Sequence, residues 1–140
     1  MRGRARLAAF VLTLCLLPLA GCGGQIVDGD GMVNSYRQVS QEEAARLMAE
    51  NPDCVILDVR TREEYEEAHI PGAICVPNET IGEEDVPELS DKAQLILVYC
   101  RSGRRSKEAS QKLFDLGYTN IVEFGGIQTW PGETVAGGAQ

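Results

Sequence analysis

The stretch LILVYCRSGRRS, residues 95–106, decides the fold of this 140-residue chain. Its first five residues are apolar without interruption, as expected of a parallel strand that is buried on both faces. Cys100 stands where this strand ends, and a short polar turn containing Gly103 leads into a helix. The N–H groups of the turn and the positive end of the helix dipole favour a thiolate, which is the nucleophilic form of cysteine. Positive charge close to the sulfur is added by Arg101, Arg104 and Arg105.

Short strands alternate with short helices along the rest of the chain. Strands are predicted at residues 36–39, 55–59, 74–76, 95–99 and 121–124, and the two glycines at 125–126 predict a turn. Strands that alternate with helices form a parallel sheet with helices on both faces, so we expect an α/β fold. Ligands of such sheets gather at the carboxyl ends of the strands, which is where Cys100 falls.

Capping patterns mark the starts of the first two helices. Ser40 should cap the first helix, with the Glu43 side chain reaching back, and Thr61 opens a second box of the same kind. The first helix should end before Pro52 and the second near residue 68. The third should span residues 104–116, whereas residues 77–92 predict a loop with at most one helical turn. Trp130 is predicted to fill the core.

Three stretches, in order, resemble the signatures of one protein family. CRSGRRS (residues 100–106) resembles the active-site loop of the single-domain rhodaneses, the thiosulfate sulfurtransferases. LDVRTREEYEEAHIPGA (residues 57–73) resembles the other signature of that family, and GYTNIVEFGGIQTW (residues 117–130) resembles its usual ending. The resemblance implies a rhodanese-like α/β domain over residues 36–132, with about five strands in its parallel sheet.

The resemblance also implies sulfur transfer through a persulfide of Cys100. The thiolate would attack the outer sulfur of thiosulfate or a similar donor, sulfite would leave, and cyanide or a thiol would accept the sulfur. Backbone N–H groups of the loop would cradle the anionic sulfur, so we expect neither a cofactor nor a separate general base. The expected substrate-binding residues are those of the loop, Arg101, Ser102, Gly103, Arg104, Arg105 and Ser106.

Polar residues of the second signature are expected to support the loop. Asp58, Arg60 and Glu64 predict a fixed polar network rather than a set of reacting groups. His69 lies in AHIPGA, where the family pattern usually reads GHIPGA, so Ala68 is a departure that affects the local turn. We expect His69 to hold that turn through hydrogen bonds rather than to act as a catalytic base.

Two other functions remain open. Cysteine phosphatases and arsenate reductases need a Cys-x5-Arg loop, wide enough for a tetrahedral anion whose oxygens the arginine grips. Here Ser106 occupies that position and Arg105 makes the spacing Cys-x4-Arg, which favours sulfur transfer. The second alternative is a catalytically quiet binding or redox-sensing module, for which a thioredoxin-like reductant of the persulfide would be the partner.

The first 21 residues predict a bacterial lipoprotein signal peptide. Arginines precede an apolar run over residues 7–20, which is too short for a permanent transmembrane helix. LAGC (residues 19–22) resembles a lipobox, which implies lipidation of Cys22; an ordinary secretory peptide is the alternative. Residues 22–35 predict a flexible tether and residues 133–140 a flexible tail. The domain would then face the extracytoplasmic side of the cell envelope, on a lipid anchor alone.

Charge and cysteine content exclude several classes of partner. Residues 1–21 hold three of the 13 basic residues and no acid, so the remaining chain has 10 basic and 21 acidic residues, a formal net charge of −11. Such a surface argues against nucleic acid and against anionic lipid. Cys54 and Cys75 are predicted to be small buried residues, with a disulfide between them left open. The spacing of cysteine and histidine predicts no metal site.

Overall fold

Five short parallel strands form the sheet at the centre of the computed structural model, which describes residues 26–27, 33–34 and 36–138. Ahead of it, β1 (Ile26–Val27) and β2 (Val33–Asn34) pair antiparallel. The sheet has the order β3-β7-β6-β4-β5, and its strands are β3 (Arg37–Gln38), β4 (Val55–Asp58), β5 (Ile74–Cys75), β6 (Ile96–Cys100) and β7 (Ile121–Gly126). The predicted parallel α/β sheet is confirmed. The tether over residues 22–35 lies mostly outside the described residues and stays a prediction.

Three α-helices connect the strands. They are α1 (Gln41–Glu50), α2 (Arg62–Glu67) and α3 (Arg104–Asp115), and one 3-10 turn, Asn78–Thr80, lies in the predicted loop. The capping box of α2 is complete, because Thr61 and Glu64 each accept from the other's backbone N–H. In α1 only one of the two hydrogen bonds of a capping box forms, from the Glu43 N–H to Ser40 Oγ. The expectation that Glu43 reaches back is wrong, because its carboxylate bonds to Arg46 one turn further along the helix.

Side chains that alternate along β6 build a core on each face of the sheet. Ile96, Val98 and Cys100 pack with Ala109 and Leu113 of α3, and all five are buried. Leu97 and Tyr99 point the other way, to the core that includes Ala44, Leu47 and Tyr65 from the first two helices. Burying each large apolar side chain contributes about 1.5–3 kcal/mol, so both faces hold the central strand in place. Helices on both faces were predicted, and this is confirmed.

The last strand differs from its prediction. The two glycines predicted a turn, but β7 continues through Gly126, which pairs with Cys100. Val98 pairs with Glu123, so two residues of β7 stand opposite Tyr99 and the register shifts there. An extra residue of this kind makes a β-bulge, and Gly125 adopts a left-handed φ of +91° within it. Trp130, predicted to fill the core, is half-buried against Phe124, with ring centroids 5.6 Å apart.

The end of the described chain is hydrogen-bonded to the domain. Val135 and His69 exchange two backbone hydrogen bonds of 2.8 Å, and the Gly137 N–H donates to the Glu66 carbonyl at 2.7 Å. These hydrogen bonds connect part of the predicted tail, residues 135–137, to the domain. The predicted flexibility of the tail stays a prediction. No helix of the described residues combines the length and the apolar character that crossing a bilayer requires.

Candidate active site

Cys100 ends β6 as a buried thiol whose sulfur is contacted by the loop that follows it. Only 1% of the residue is exposed. The Gly103 N–H donates to Sγ at 3.0 Å, and Sγ lies 3.4 Å from Ser106 Oγ. A backbone donor at this distance stabilises negative charge on the sulfur. The site can therefore hold a thiolate or a sulfur atom attached to it.

Gly103 sets the shape of the loop. Its φ of +108° lies in the left-handed region, which strains any residue with a Cβ atom. The same residue is the N-cap of α3, so the helix begins directly beside the sulfur. The positive end of the helix dipole adds to the effect of the N–H donor, as the sequence predicted.

The bulged end of β7 supports the loop from behind. A Cβ atom added to Gly126 would overlap the Arg101 carbonyl and the Ser102 Cα. The Gln128 N–H, two residues later, donates to the same Arg101 carbonyl at 3.3 Å. The loop therefore packs directly against the backbone of Gly126, and a residue with a Cβ atom would not fit there.

The three loop arginines differ in their surroundings. Arg101 and Arg104 are exposed, whereas Arg105 is half-buried against Glu64 of α2. Its Nη1 donates to Oε2 at 2.8 Å and its Nη2 to Oε1 at 2.9 Å. These hydrogen bonds lower the pKa of Glu64 to about 2. Arg105 thus joins the loop to the second signature, and its predicted contact with substrate stays a prediction.

Asp58 and Arg60 form a buried pair at the carboxyl end of β4. The Arg60 Nη2 lies 2.6 Å from Asp58 Oδ2, and the same nitrogen donates to the Ala68 carbonyl at 2.6 Å. Beside them, the Tyr99 hydroxyl accepts the Ile70 N–H at 3.1 Å. Burial, together with the Asp58 charge, raises the pKa of that hydroxyl. Asp58 and Arg60 thus form a fixed pair, whereas Glu64, predicted to belong to the same network, bonds to Thr61 and Arg105 instead.

His69 bonds within its own segment. Its Nδ1 lies 2.8 Å from the Tyr65 carbonyl, and its ring stacks on the Tyr65 ring at a centroid distance of 3.8 Å. Its backbone pairs with Val135, and the residue is buried. These contacts support the expectation of a structural role.

Glu123 belongs to the site, although it is not among the site residues predicted from the sequence. The residue is 3% exposed on β7, and its Oε1 accepts from Ser106 Oγ at 2.5 Å and from the Gly125 N–H at 2.9 Å. A signal was available, because an acid in the middle of the apolar stretch IVEF cannot be buried without partners. What the sequence could not supply was the identity of the distant partner, Ser106, which lies 17 residues away on α3.

The other described cysteines are far less suited to chemistry. Cys54, Cys75 and Cys100 are all free thiols. Burial raises the pKa of the Cys75 thiol to about 11 and also raises that of Cys54. Asp58 of β4 pairs with Cys75, so Cys54 lies four residues away, about 13 Å along the strand, which is too far for a disulfide. The option of a Cys54–Cys75 bond is therefore not realised.

The sequence predicts no metal site and predicts lipidation at Cys22. Within the described ranges, no group of three or more histidine, cysteine or acidic residues is arranged to hold a metal ion. Cys22, the predicted lipidation residue, lies outside the described residues together with the predicted signal peptide.

Comparisons with known proteins agree with this geometry. The family model described as a rhodanese-like domain matches residues 40–133. The thiosulfate sulfurtransferase GlpE of Coxiella burnetii is 35% identical over 96 residues, which are 68% of this chain and 87% of that protein. The thiosulfate sulfurtransferase PspE of Escherichia coli is 36% identical over 72 residues, 51% of this chain and 69% of the relative.

Solved structures show the same fold. A rhodanese with anions from E. coli is 34% identical, covers 59% of this chain and 98% of its own, and gives a TM-score of 0.55. A thiosulfate sulfurtransferase from Pseudomonas aeruginosa is 28% identical over 75% of this chain and 21% of its own, with a TM-score of 0.65. The sheet order, the loop and these matches together show that the chain belongs to the rhodanese-like domain family.

Proposed function

We propose that this chain is a sulfurtransferase that carries sulfane sulfur on Cys100. The observation that carries the proposal is the buried Cys100 sulfur, which lies 3.0 Å from the Gly103 nitrogen at the start of α3. The thiolate attacks the outer sulfur of thiosulfate or a similar donor, and a new S–S bond forms. The S–S bond of the donor breaks, and sulfite leaves with its electron pair.

The second half-reaction returns the thiolate. Cyanide or a thiol attacks the outer sulfur of Cys–S–S⁻, and the S–S bond to Cys100 breaks with its electrons going to Sγ. A thioredoxin-like reductant would be one thiol acceptor of this kind. The exposed Arg101 and Arg104 would attract the anionic donor to the loop. The relatives named thiosulfate sulfurtransferase support this substrate class.

The geometry favours this function over phosphate or arsenate chemistry. Gly103 and Ser106 both approach one atom, the Cys100 sulfur, from within a loop that is one residue shorter than Cys-x5-Arg. Arg105, which would have to grip a tetrahedral anion, already gives both terminal nitrogens to Glu64. A redox module with a resolving cysteine is also less supported, because Cys75 belongs to the core on the other face of the sheet from Cys100.

We further propose that the domain works at the cell envelope as a lipoprotein anchored through Cys22. The proposal rests on the LAGC sequence that follows the apolar run. Expression in a bacterium fed with labelled palmitate should give a labelled protein in the membrane fraction. Cys22→Ser should abolish the label, and label retained in that variant would contradict the anchor.

The test of sulfur transfer is the intact mass of the purified protein before and after thiosulfate. We expect a gain of about 32 Da, which cyanide removes with release of thiocyanate. Cys100→Ser should show neither product, whereas Cys54→Ser, a matched change of a partly exposed thiol, should behave as wild type. A folded wild-type protein that gains no mass and releases no thiocyanate would contradict the proposal.

A further inference from the structure

Glu123 is a buried acid for which the reaction described above has no use. Its Oε1 lies 2.5 Å from Ser106 Oγ, and that hydroxyl lies 3.4 Å from the Cys100 sulfur. Cys100 is 1% exposed, Ser106 is 0% exposed and Glu123 is 3% exposed. The three side chains therefore form a continuous hydrogen-bonded chain from the nucleophile to a carboxylate, and each of them is almost fully buried.

The distances give this chain a direction. Ser106 has one hydroxyl proton, and its acceptors are Glu123 Oε1 at 2.5 Å, the Gly103 carbonyl at 3.0 Å and the Gly125 carbonyl at 3.4 Å. The carboxylate is the nearest and the most strongly attracting of these, so the hydroxyl donates to it. The serine oxygen is then available to accept the thiol proton of Cys100.

A buried thiolate and a buried carboxylate at the two ends of this chain would repel each other. Two acids in such contact lose their protons as a pair, because the second negative charge is much harder to form than the first. Charged groups nearby also interact with these three side chains. Arg105 interacts electrostatically with Cys100, but its own charge is already neutralised by Glu64. Two further cations, Arg104 and Lys107, line a cavity of about 580 Å³ that is also lined by Glu123.

We propose that Cys100, Ser106 and Glu123 share one proton, which rests on Glu123 whenever the Cys100 sulfur is a thiolate or a persulfide. The inference rests on the proposed sulfur transfer and adds a positioning residue to it. When Sγ attacks the donor, its proton passes to Ser106 Oγ while the serine proton passes to Glu123 Oε1. After the acceptor has removed the outer sulfur, the proton returns by the same route. The site thus carries one buried negative charge throughout the cycle.

The shape of a pH profile tests this proposal. We expect the rate at which iodoacetamide modifies Cys100 in the wild-type protein to change little from about pH 5 to about pH 7, because the proton moves inside the pair. In Glu123→Gln no second acid can hold the proton, so wherever Cys100 is mostly a thiol the rate should fall about tenfold for each pH unit of acidification. Peptide mass mapping separates modification of Cys100 from that of the other thiols.

Variants of Ser106 and a matched control sharpen the experiment. Ser106→Ala breaks the chain while the Glu123 charge remains, and it should show the same steep profile as Glu123→Gln. Ser106→Thr keeps a hydroxyl and should restore the flat profile. Glu108→Gln, a matched change of an exposed acid on the same helix, should leave the profile flat. Circular dichroism checks that each variant is folded. If Glu123→Gln does not fold, the profile of Ser106→Ala tests the proposal instead.

Three results would overturn the shared proton. These are a steep profile in the wild-type protein, a flat one in Glu123→Gln, or a flat one in Ser106→Ala. Alkylation needs no sulfur donor, so its outcome is independent of whether thiosulfate forms an adduct. A protein that fails the mass experiment but shows the flat profile would retain the proton chain and lose the proposed substrate.

Discussion

At the scale of single residues, Glu64 connects the two signature segments. Its Oε2 accepts the Thr61 N–H at 3.0 Å and closes the cap of α2, while both of its oxygens accept from Arg105. One carboxylate therefore fixes a helix start and the position of a loop residue five places after Cys100. Removing its charge should loosen both.

Glu64→Gln should lower the free energy of unfolding at neutral pH by about 1–2 kcal/mol, because charge-assisted hydrogen bonds to Arg105 are lost. Hydrogen bonding to Arg105 lowers the pKa of Glu64 in the folded protein from 4.5 to about 2. The stabilisation is therefore fully present above pH 4.5 and disappears as the pH falls through about 2. Urea unfolding of both proteins across this range measures the difference.

The control for Glu64→Gln is Glu67→Gln, which changes an exposed acid on the same helix. This control should leave the free energy of unfolding unchanged within about 0.5 kcal/mol. A gap between wild type and Glu64→Gln that stayed constant down to the lowest pH would contradict the assigned role of the Glu64 charge.

At the scale of elements, buried contacts fix the ends of strands where the site is built. The Asp58–Arg60 pair holds the end of β4 against the carbonyl of Ala68, just after α2. On the other side of β6, the glycine backbone of β7 supports the loop. Each contact joins two elements, so each can be tested by a change at one of them.

Asp58→Asn should destabilise the protein by about 3–5 kcal/mol, because it leaves the buried Arg60 guanidinium without a counter-charge. Both side chains are almost fully enclosed, at 0% and 6% exposure. Chemical denaturation monitored by circular dichroism gives the value, and Asp53→Asn at an exposed position serves as the matched control. A loss below about 1 kcal/mol would mean that the pair is not the buried anchor described here.

Gly126→Ala should damage the loop more than the fold. The new Cβ overlaps the Arg101 carbonyl, and we expect a loss of about 1–3 kcal/mol in stability together with a strong reduction in persulfide yield. Gly82→Ala adds the same methyl group where nothing lies within 4 Å. It should preserve the persulfide yield measured by mass. Equal yields in the two variants would contradict the supporting role of β7.

At the scale of the whole molecule, a parallel sheet brings distant segments of the chain to one edge. The ends of β4, β6 and β7 lie side by side there, since Asp58 pairs with Tyr99 and Cys100 pairs with Gly126. Residues from the second signature and from the closing segment therefore both contact the loop that follows Cys100. The segment around Val135 pairs with the backbone of His69.

Deleting residues 133–140 should reduce stability only modestly, by about 1 kcal/mol, and should leave the persulfide yield unchanged. The segment contributes backbone hydrogen bonds to His69 and Glu66, but residues 133–138 are exposed and bury little apolar surface. Urea unfolding and faster hydrogen exchange at the His69 amide are the measurements. A protein that unfolds on deletion would show that this segment belongs to the core.

The sequence by itself determined the order of the elements of the domain and the position of Cys100 at the end of the central strand. The apolar run before Cys100, the cap at Thr61 and the glycine at 103 act on their immediate neighbours, so their consequences can be predicted from adjacent residues. The same local reasoning failed at Gly125 and Gly126, where pairing with β6 extends the strand beyond the residues that favour a turn.

Only the tertiary structure decided which polar groups meet around the sulfur. Arg105 and Glu64 are 41 residues apart, and Ser106 and Glu123 are 17 residues apart. Neither pair has a spacing signal, because the register of the sheet and the packing of α3 set these distances. A sequence pattern records what each residue needs, such as a partner for a buried acid, whereas folding selects the partner from everything brought to the same edge of the sheet.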